Sequence, residues 1–292
     1  MSVLAFTILA LALTGPVPAL LARASWPLRA PRAAVVLWQA VALAAVLSAF
    51  SAGLSVVALL ADGGPVGWPL MLAAAAMFAL TVVIGVRLAA AVVSVAVGTR
   101  RRRAHHRMVV DLIGACPRDD VRVLAVAQPM AYCLPGMRSR VVLSEGALRV
   151  LTESELAAIM RHERAHLRAR HDLVLEAFIA VHTAFPRVVR SGSALSAVRL
   201  LVELLADDAA VRATGSRPLA RALVACASAL TPVGAMAAGG PTTVIRVRRL
   251  AGPPNSRLVA LAAYLAAAAV LVVPTIAVAV PWLTELHRLF AG

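Results

Sequence analysis

Apolar residues run in blocks long enough to cross a bilayer near both ends of the chain, and the charged residues gather between those blocks. The first block, residues 3–21, is broken by Pro16 and Pro18, which a membrane helix tolerates near an end or a kink. A second block covers 33–60, and a third opens at Trp68 and stays apolar to Val97 with Arg87 inside it. Residues 68–86 already suffice for a hydrocarbon core of about 30 Å. The third span is therefore expected at 68–86 with the helix continuing into water, and Arg87 at the far interface with its guanidinium snorkelling outward. The fourth span is expected at 258–283, with Pro274 and Pro281 in its second half and 284–292 as a short tail.

Between the third and fourth blocks the periodicities are those of a water-exposed domain, residues 99–257. Thr152-Glu153-Ser154-Glu155 has the form of a capping box and predicts a helix starting near Glu153, with Leu156, Ile159 and Met160 on its buried side. Residues 121–126 alternate weakly and 140–143 form a second β-like run after a turn at Leu134-Pro135-Gly136. Residues 173–185 are apolar but too short to span and are expected to pack in the soluble core. Residues 219–238 read as a core helix followed by a loop, with Pro218 in the helix's first turn. Ala61-Asp62-Gly63-Gly64-Pro65 reads as a turn between spans two and three.

Composition sharpens this partition. The chain has 292 residues, is 61% hydrophobic and has a mean hydropathy of +0.85, which excludes a wholly water-soluble globule. Residues 1–98 contain a single acid, Asp62, and four arginines, whereas 99–257 hold 24 of the 29 basic and 12 of the 14 acidic residues. Arginines follow span one (Arg23, Arg29, Arg32) and span three (Arg100-Arg101-Arg102-Arg103, Arg107), and none lies in the loop after span two. By the positive-inside rule both termini are outside and the central domain is in the cytoplasm, at the plasma (inner) membrane. The cluster at 100–107 could also serve anionic lipid or nucleic acid. Directly after a span it reads first as a membrane anchor, so lipid is the expected neighbour and direct nucleic-acid binding is not expected. Every basic residue is Arg, which reflects coding bias. The three cysteines are odd in number and lack a C-x-x-C spacing, so a reducing compartment without a disulfide framework is expected.

The chemistry concentrates in His162-Glu163-Arg164-Ala165-His166. Two histidines four apart fall on one helix face, so both imidazoles can reach one tetrahedral metal, and Glu163 beside them can act as general base toward a water. Downstream, Glu203 and Asp207 stand four apart on a second helix. Glu203 is the natural third ligand, and Asp207 is placed to hold the free ring nitrogen of a ligating histidine. Three protein ligands with an open fourth position make a catalytic zinc site, against the alternative of ordinary charges on two amphipathic helices. His171, five residues past His166, is expected round the helix from the metal face, as a surface or core histidine. His182 has the same reading, although it could approach the metal if its helix folds back. Arg161, Arg164, Arg168 and Arg170 keep this helix out of lipid. An extended edge strand beside such a helix can receive substrate backbone by strand addition. Residues 132–138, with Tyr132 and Gly136, are the candidate, and an ordinary structural hairpin is the equal alternative.

Four spans with flanking arginines, then Val142-Leu143-Ser144-Glu145-Gly146, Glu155-Leu156, the His162–His166 motif, Phe185-Pro186 and the run from Glu203 to Asp208 resemble the BlaR/MecR antirepressor family of membrane metallopeptidases. The resemblance implies a mainly α integral membrane protein, with four transmembrane helices and a cytoplasmic α+β gluzincin-like zinc metallopeptidase domain between helices 3 and 4. It implies His162, His166 and Glu203 as zinc ligands and Glu163 as base. It also implies a cytoplasmic protein substrate of the winged-helix, DNA-binding repressor type. The penicillin-binding sensor of the best-known members does not follow the fourth span here, so an inducing signal is expected through the spans, short loops or a partner. The competing readings are a general quality-control membrane zinc protease of the prenyl-protein-peptidase or heat-shock type, and a non-catalytic membrane signalling scaffold.

Overall fold

The structure, a computed structural model, describes residues 2–61, 67–185, 192–227, 236–237 and 242–291. In chain order the helices begin with α1 (Ser2–Thr14), α2 (Pro16–Arg23), α3 (Pro31–Ala61) and α4 (Trp68–Ile113). The strands β1 (Ala115–Arg118), β2 (Val121–Leu124), β3 (Ala131–Leu134) and β4 (Arg140–Ser144) follow. Then come α5 (Glu145–Val150), α6 (Glu153–Ala169), α7 (His171–Ala184), α8 (Gly192–Thr214) and α9 (Ser216–Ala225). The two-residue strand β5 (Met236–Ala237), α10 (Thr243–Leu250) and α11 (Arg257–Ala291) complete the described chain. The expected turn after span two and most of the loop expected within 219–238 lie outside the described residues.

Two compact units form. One comprises Met1–Ala91, Ala180–Ala197 and Ser256–Gly292, and the other Val92–Ile179 and Val198–Asn255. Among the described residues, four helical segments are long and apolar enough to cross a membrane: Val3–Arg23, Pro31–Val56, Trp68–Ile113 and Arg257–Ile276. The first is two helices, because the backbone breaks at Gly15 ahead of Pro16, which starts α2. α3 is the central element, packed on both α1 and α11. Its seam is made of small residues, Ala40, Ala44 and Ala45 with Val41, set against Leu13 and Ala267. Small side chains let helix backbones approach where lipid offers no hydrophobic drive. Gly53 extends this, since a Cβ there would overlap Thr81 on α4.

Two expectations change here. α11 continues through Pro274 and Pro281 to Ala291, so residues expected as a tail are helical. Pro is tolerated in membrane helices where neighbouring groups re-satisfy the freed carbonyls. Arg87 does not simply snorkel: its Nε donates to the carbonyl of Ala184, the last residue of α7, at 2.9 Å. A cation at a helix C-terminus meets the negative end of the helix dipole and an orphan carbonyl. Residues 180–184 accordingly group with the apolar helices, and the soluble-core expectation holds only for the first part of α7.

The second unit is built on a mixed sheet of order β1-β2-β4-β3-β5. β2 and β4 are parallel, with Val121 opposite Val141, while β3 runs antiparallel to β4 with Cys133 opposite Val141. β4 is covered on both faces, Val141 and Val142 being fully buried. That is why its sequence is a continuous apolar run with little alternation. Ser144 ends it and starts α5: its Oγ accepts from the amides of Ala147 (3.0 Å) and Met130 (2.9 Å) and donates to the carbonyl of Gln128 (2.7 Å). Leu151, Ala158 and Ile159 join Leu219, Ala222 and Leu223 of α9 in one core that seats α6.

Candidate metal centre

α6 starts where its capping box predicts. Thr152 Oγ1 accepts from the Glu155 amide at 3.4 Å, and the Glu155 carboxylate accepts from the Thr152 amide at 2.9 Å. From there Ala158, Ile159, His162, Glu163, Ala165 and His166 form the buried face. Arg161 and Arg168 are exposed, and Arg164 pairs with Asp120 at 2.8 Å. The apolar side of α8, with Val198, Leu201, Val202 and Leu204 buried, turns Glu203 and Asp207 toward the α6 histidines.

Three donor atoms converge. His162 Nε2 lies 3.1 Å from His166 Nε2 and 3.4 Å from Glu203 Oε2, and His166 Nε2 lies 3.6 Å from Glu203 Oε1. The three residues form one group able to hold a metal ion. Donors about 2.0–2.1 Å from a tetrahedral zinc stand about 3.3 Å apart, so the observed spacings fit that ion. The opposite ring nitrogens are also held: His162 Nδ1 faces Asp207 Oδ1 at 3.0 Å, and His166 Nδ1 faces His171 Nδ1 at 3.0 Å. With the outer nitrogens protonated, both Nε2 atoms would present lone pairs beside a carboxylate to a metal ion.

Arg246 of α10 closes the rear. It is 1% exposed and forks onto Asp207, Nε to Oδ2 at 2.8 Å and Nη2 to Oδ1 at 2.6 Å, with Nη1 at 3.0 Å from Glu203 Oε2. Arg249, one turn on, pairs with Asp208 at 2.8 Å. The buried carboxylates are thus compensated by a rigid bidentate cation.

Electrostatics separate the groups. Burial works against a charge on His162, but its interactions with the Asp207 and Glu203 carboxylates outweigh it and hold its pKa up at about 9. His166 has no such anion behind it, and burial drives it down to about 3. Glu163 is fully buried, both its oxygens lack a conventional hydrogen-bond partner, and burial raises it to about 7. Burial would raise Glu203 and Asp207 too, yet both are pulled down, Glu203 by His166, His162 and Arg246, Asp207 by Arg246 and His162. The fully buried Cys133 thiol interacts with Glu163, and burial raises its pKa well above the ordinary range.

Tyr132 and Gly136 are not brought to this cluster. Tyr132 packs with Val110, Leu134 and Val142, its hydroxyl 3.0 Å from His106 Nε2. Gly136, at φ 154°, lies under Arg107, whose Nη1 donates to the Pro135 carbonyl at 2.8 Å. Nor is β3 an open edge, since Met236–Ala237 pair with Cys133 and Tyr132. Strand alternation puts Cys133 and Tyr132 on opposite faces, and it is Cys133 that interacts with Glu163. His171 was expected away from the metal face. It is instead buried 3.0 Å from His166 Nδ1, past Arg170, whose left-handed conformation (φ 51°) ends α6. Arg246 gave no signal beyond membership of the basic group before span four. His182 groups with the apolar helices.

A group of two histidines and a glutamate able to hold a metal ion, in a chain whose described residues include four helices apolar enough to cross a membrane, suggests a membrane metallopeptidase. Residues 98–198 match the family model of peptidase family M48, a stretch that contains the His162–His166 motif and ends before Glu203. The match supports a metal-dependent peptidase of that family over about a third of the chain. Nothing among the curated proteins or the solved structures matches it.

Proposed function

We propose that the protein is an integral membrane zinc endopeptidase that cleaves a cytoplasmic protein. The observation carrying this reading is the convergence of His162 Nε2, His166 Nε2 and Glu203 at spacings of 3.1–3.6 Å, with the fully buried Glu163 carboxylate next to His162 in the chain. His162, His166 and Glu203 would hold the metal ion. What a bound zinc ion supplies is Lewis acidity toward a scissile carbonyl and an attacking water. Glu163 takes the proton of that water on a carboxylate oxygen and delivers it to the leaving amide nitrogen. Its burial suits this, because a carboxylate with a pKa near 7 both accepts and returns a proton at neutral pH. Asp207 holds His162, and Arg246 holds Asp207 and Glu203.

Regulatory proteolysis of a winged-helix repressor is the finer reading, and it rests on the motif resemblance to the antirepressor peptidases. The arginines after spans one and three support a cytoplasmic site with both termini outside. The test is zinc content of the detergent-solubilised protein beside His162→Ala and Glu203→Ala, followed by substrate capture with Glu163→Gln. Near one zinc in the parent and much less in both ligand variants is expected. A folded parent that takes up no zinc would overturn the peptidase reading in favour of a scaffold. One or two captured substrates would support regulation, and a broad set of misfolded proteins would replace it with quality control.

A further inference from the structure

We propose that His171 is a positioning residue that sets the tautomer and the ring orientation of the metal ligand His166. This rests on the metal-site reading above and goes beyond its ligand set. A ligating imidazole must offer the metal an unprotonated nitrogen, and for His166 that nitrogen is Nε2, which faces His162 Nε2 at 3.1 Å and Glu203 Oε1 at 3.6 Å. The ring proton then sits on Nδ1, where the acceptor is His171 Nδ1 at 3.0 Å. The two rings meet edge to face, with centroids 5.0 Å apart and planes at 82°. This contact assigns His171 Nδ1 as the acceptor of the His166 Nδ1–H, which leaves the His171 proton on Nε2.

The placement of His171 is itself enforced. Arg170 in the left-handed region turns the chain at the end of α6, so residue 171 opens α7 beneath residue 166. α7 is then pinned by its first turns: Asp172, 2% exposed, pairs with Arg103 Nη1 at 3.1 Å and Arg170 Nε at 3.4 Å. Glu176 pairs with the same Arg103 nitrogen at 2.6 Å. The two ligating histidines are therefore backed differently, His162 by the carboxylate of Asp207 and His166 by a neutral ring. An anion behind a ligand makes it a stronger donor, and a neutral acceptor orients it without adding charge.

The test compares zinc affinity, by competition with a chromophoric chelator, for the full-length detergent-solubilised parent, His171→Phe and His171→Asn. Phe keeps a ring and removes the acceptor; Asn places a carbonyl oxygen near the position of Nδ1. Loss of the acceptor is expected to weaken zinc by about 10- to 100-fold, and Asn is expected to stay within about threefold of the parent. Phe binding as tightly as the parent, or Asn as weakly as Phe, would overturn the proposal. Because the Phe variant could fail to fold, the parent is also read directly by ¹⁵N NMR of its zinc-loaded histidines. A protonated Nδ1 on His166 coupled to an unprotonated Nδ1 on His171 is expected, and a proton on His171 Nδ1 would overturn it. A parent that binds no zinc fails the metal-site reading itself, whereas a zinc-binding parent with an unaffected Phe variant fails this inference alone.

Discussion

Zinc binding should be coupled to the release of one proton from His162. In the metal-free site this ring, held up at about 9, is charged at neutral pH. Its Nδ1 lies 3.0 Å from Asp207 Oδ1, and its Nε2–H can donate across the 3.1 Å gap to His166 Nε2, which burial keeps neutral. The proton thus stands where the metal goes. Removing it at pH 7 costs about two pH units, or about 2.7 kcal/mol, and at pH 9 the cost has largely vanished. Apparent zinc affinity should therefore rise about tenfold per pH unit between pH 7 and 9, about 100-fold in all, and level off above 9. Glu163 is not a ligand, so its own protonation near 7 bears on catalysis and not on this slope. His166, lowered to about 3, adds nothing in this range. Chelator competition at fixed ionic strength from pH 6 to 9.5 reads the slope directly, and calorimetry in buffers of different ionisation enthalpy counts the protons. Asp207→Asn, which removes the anion behind the ring, should bring the levelling-off to lower pH. An affinity that does not change between pH 7 and 9 would refute the assignment of the proton to His162.

Glu163→Gln should retain about one zinc per chain and lose proteolysis by about 10²- to 10⁴-fold, read by metal analysis beside a cleavage assay; retained cleavage would exclude Glu163 as base. The same variant should stabilise the metal-free protein. A carboxylate whose pKa rises from 4.5 to about 7 on folding binds more protons folded than unfolded, so stability falls as pH rises through that window. The penalty, about 3 kcal/mol above pH 7, should appear as a higher unfolding temperature for Gln at pH 8 and a gap that closes by pH 4.5. Arg246→Met leaves two buried carboxylates without their cation. It should cost about 3–5 kcal/mol in the metal-free state, and added zinc should recover part of that in thermal unfolding. Gly136→Ala should cost about 1–3 kcal/mol, because φ is 154° and a Cβ would press on the Arg107 guanidinium; an unchanged unfolding midpoint would refute this.

The elements that a short stretch of chain dictates were legible without coordinates. The Thr152–Glu155 capping box starts α6. The four-residue spacing brings His162 and His166 within 3.1 Å through helix geometry alone. The apolar blocks become helices, although the sequence set their ends less well, as α11 passing both its prolines shows. Periodicity constrains which face is buried and says little about where a helix stops.

Tertiary structure decided what surrounds that face. Glu203 and Asp207 share a helix face by spacing, but their meeting with His162 depends on how α8 packs. His171 was misjudged because a helical wheel assumes the helix continues, and one left-handed residue, Arg170, ends it at that point. Arg246 is far from the motif in sequence and looked like one more membrane-flanking arginine, until folding buried it among two carboxylates that could not be charged without it. Cys133 and Tyr132 differ only in strand parity, and the sheet's packing against α4 and α6, not the alternation itself, chose which of them meets Glu163. Local sequence determines what interacts over one or two helical turns. Partners from distant segments are selected by the burial of charge, which has meaning only once the core has formed.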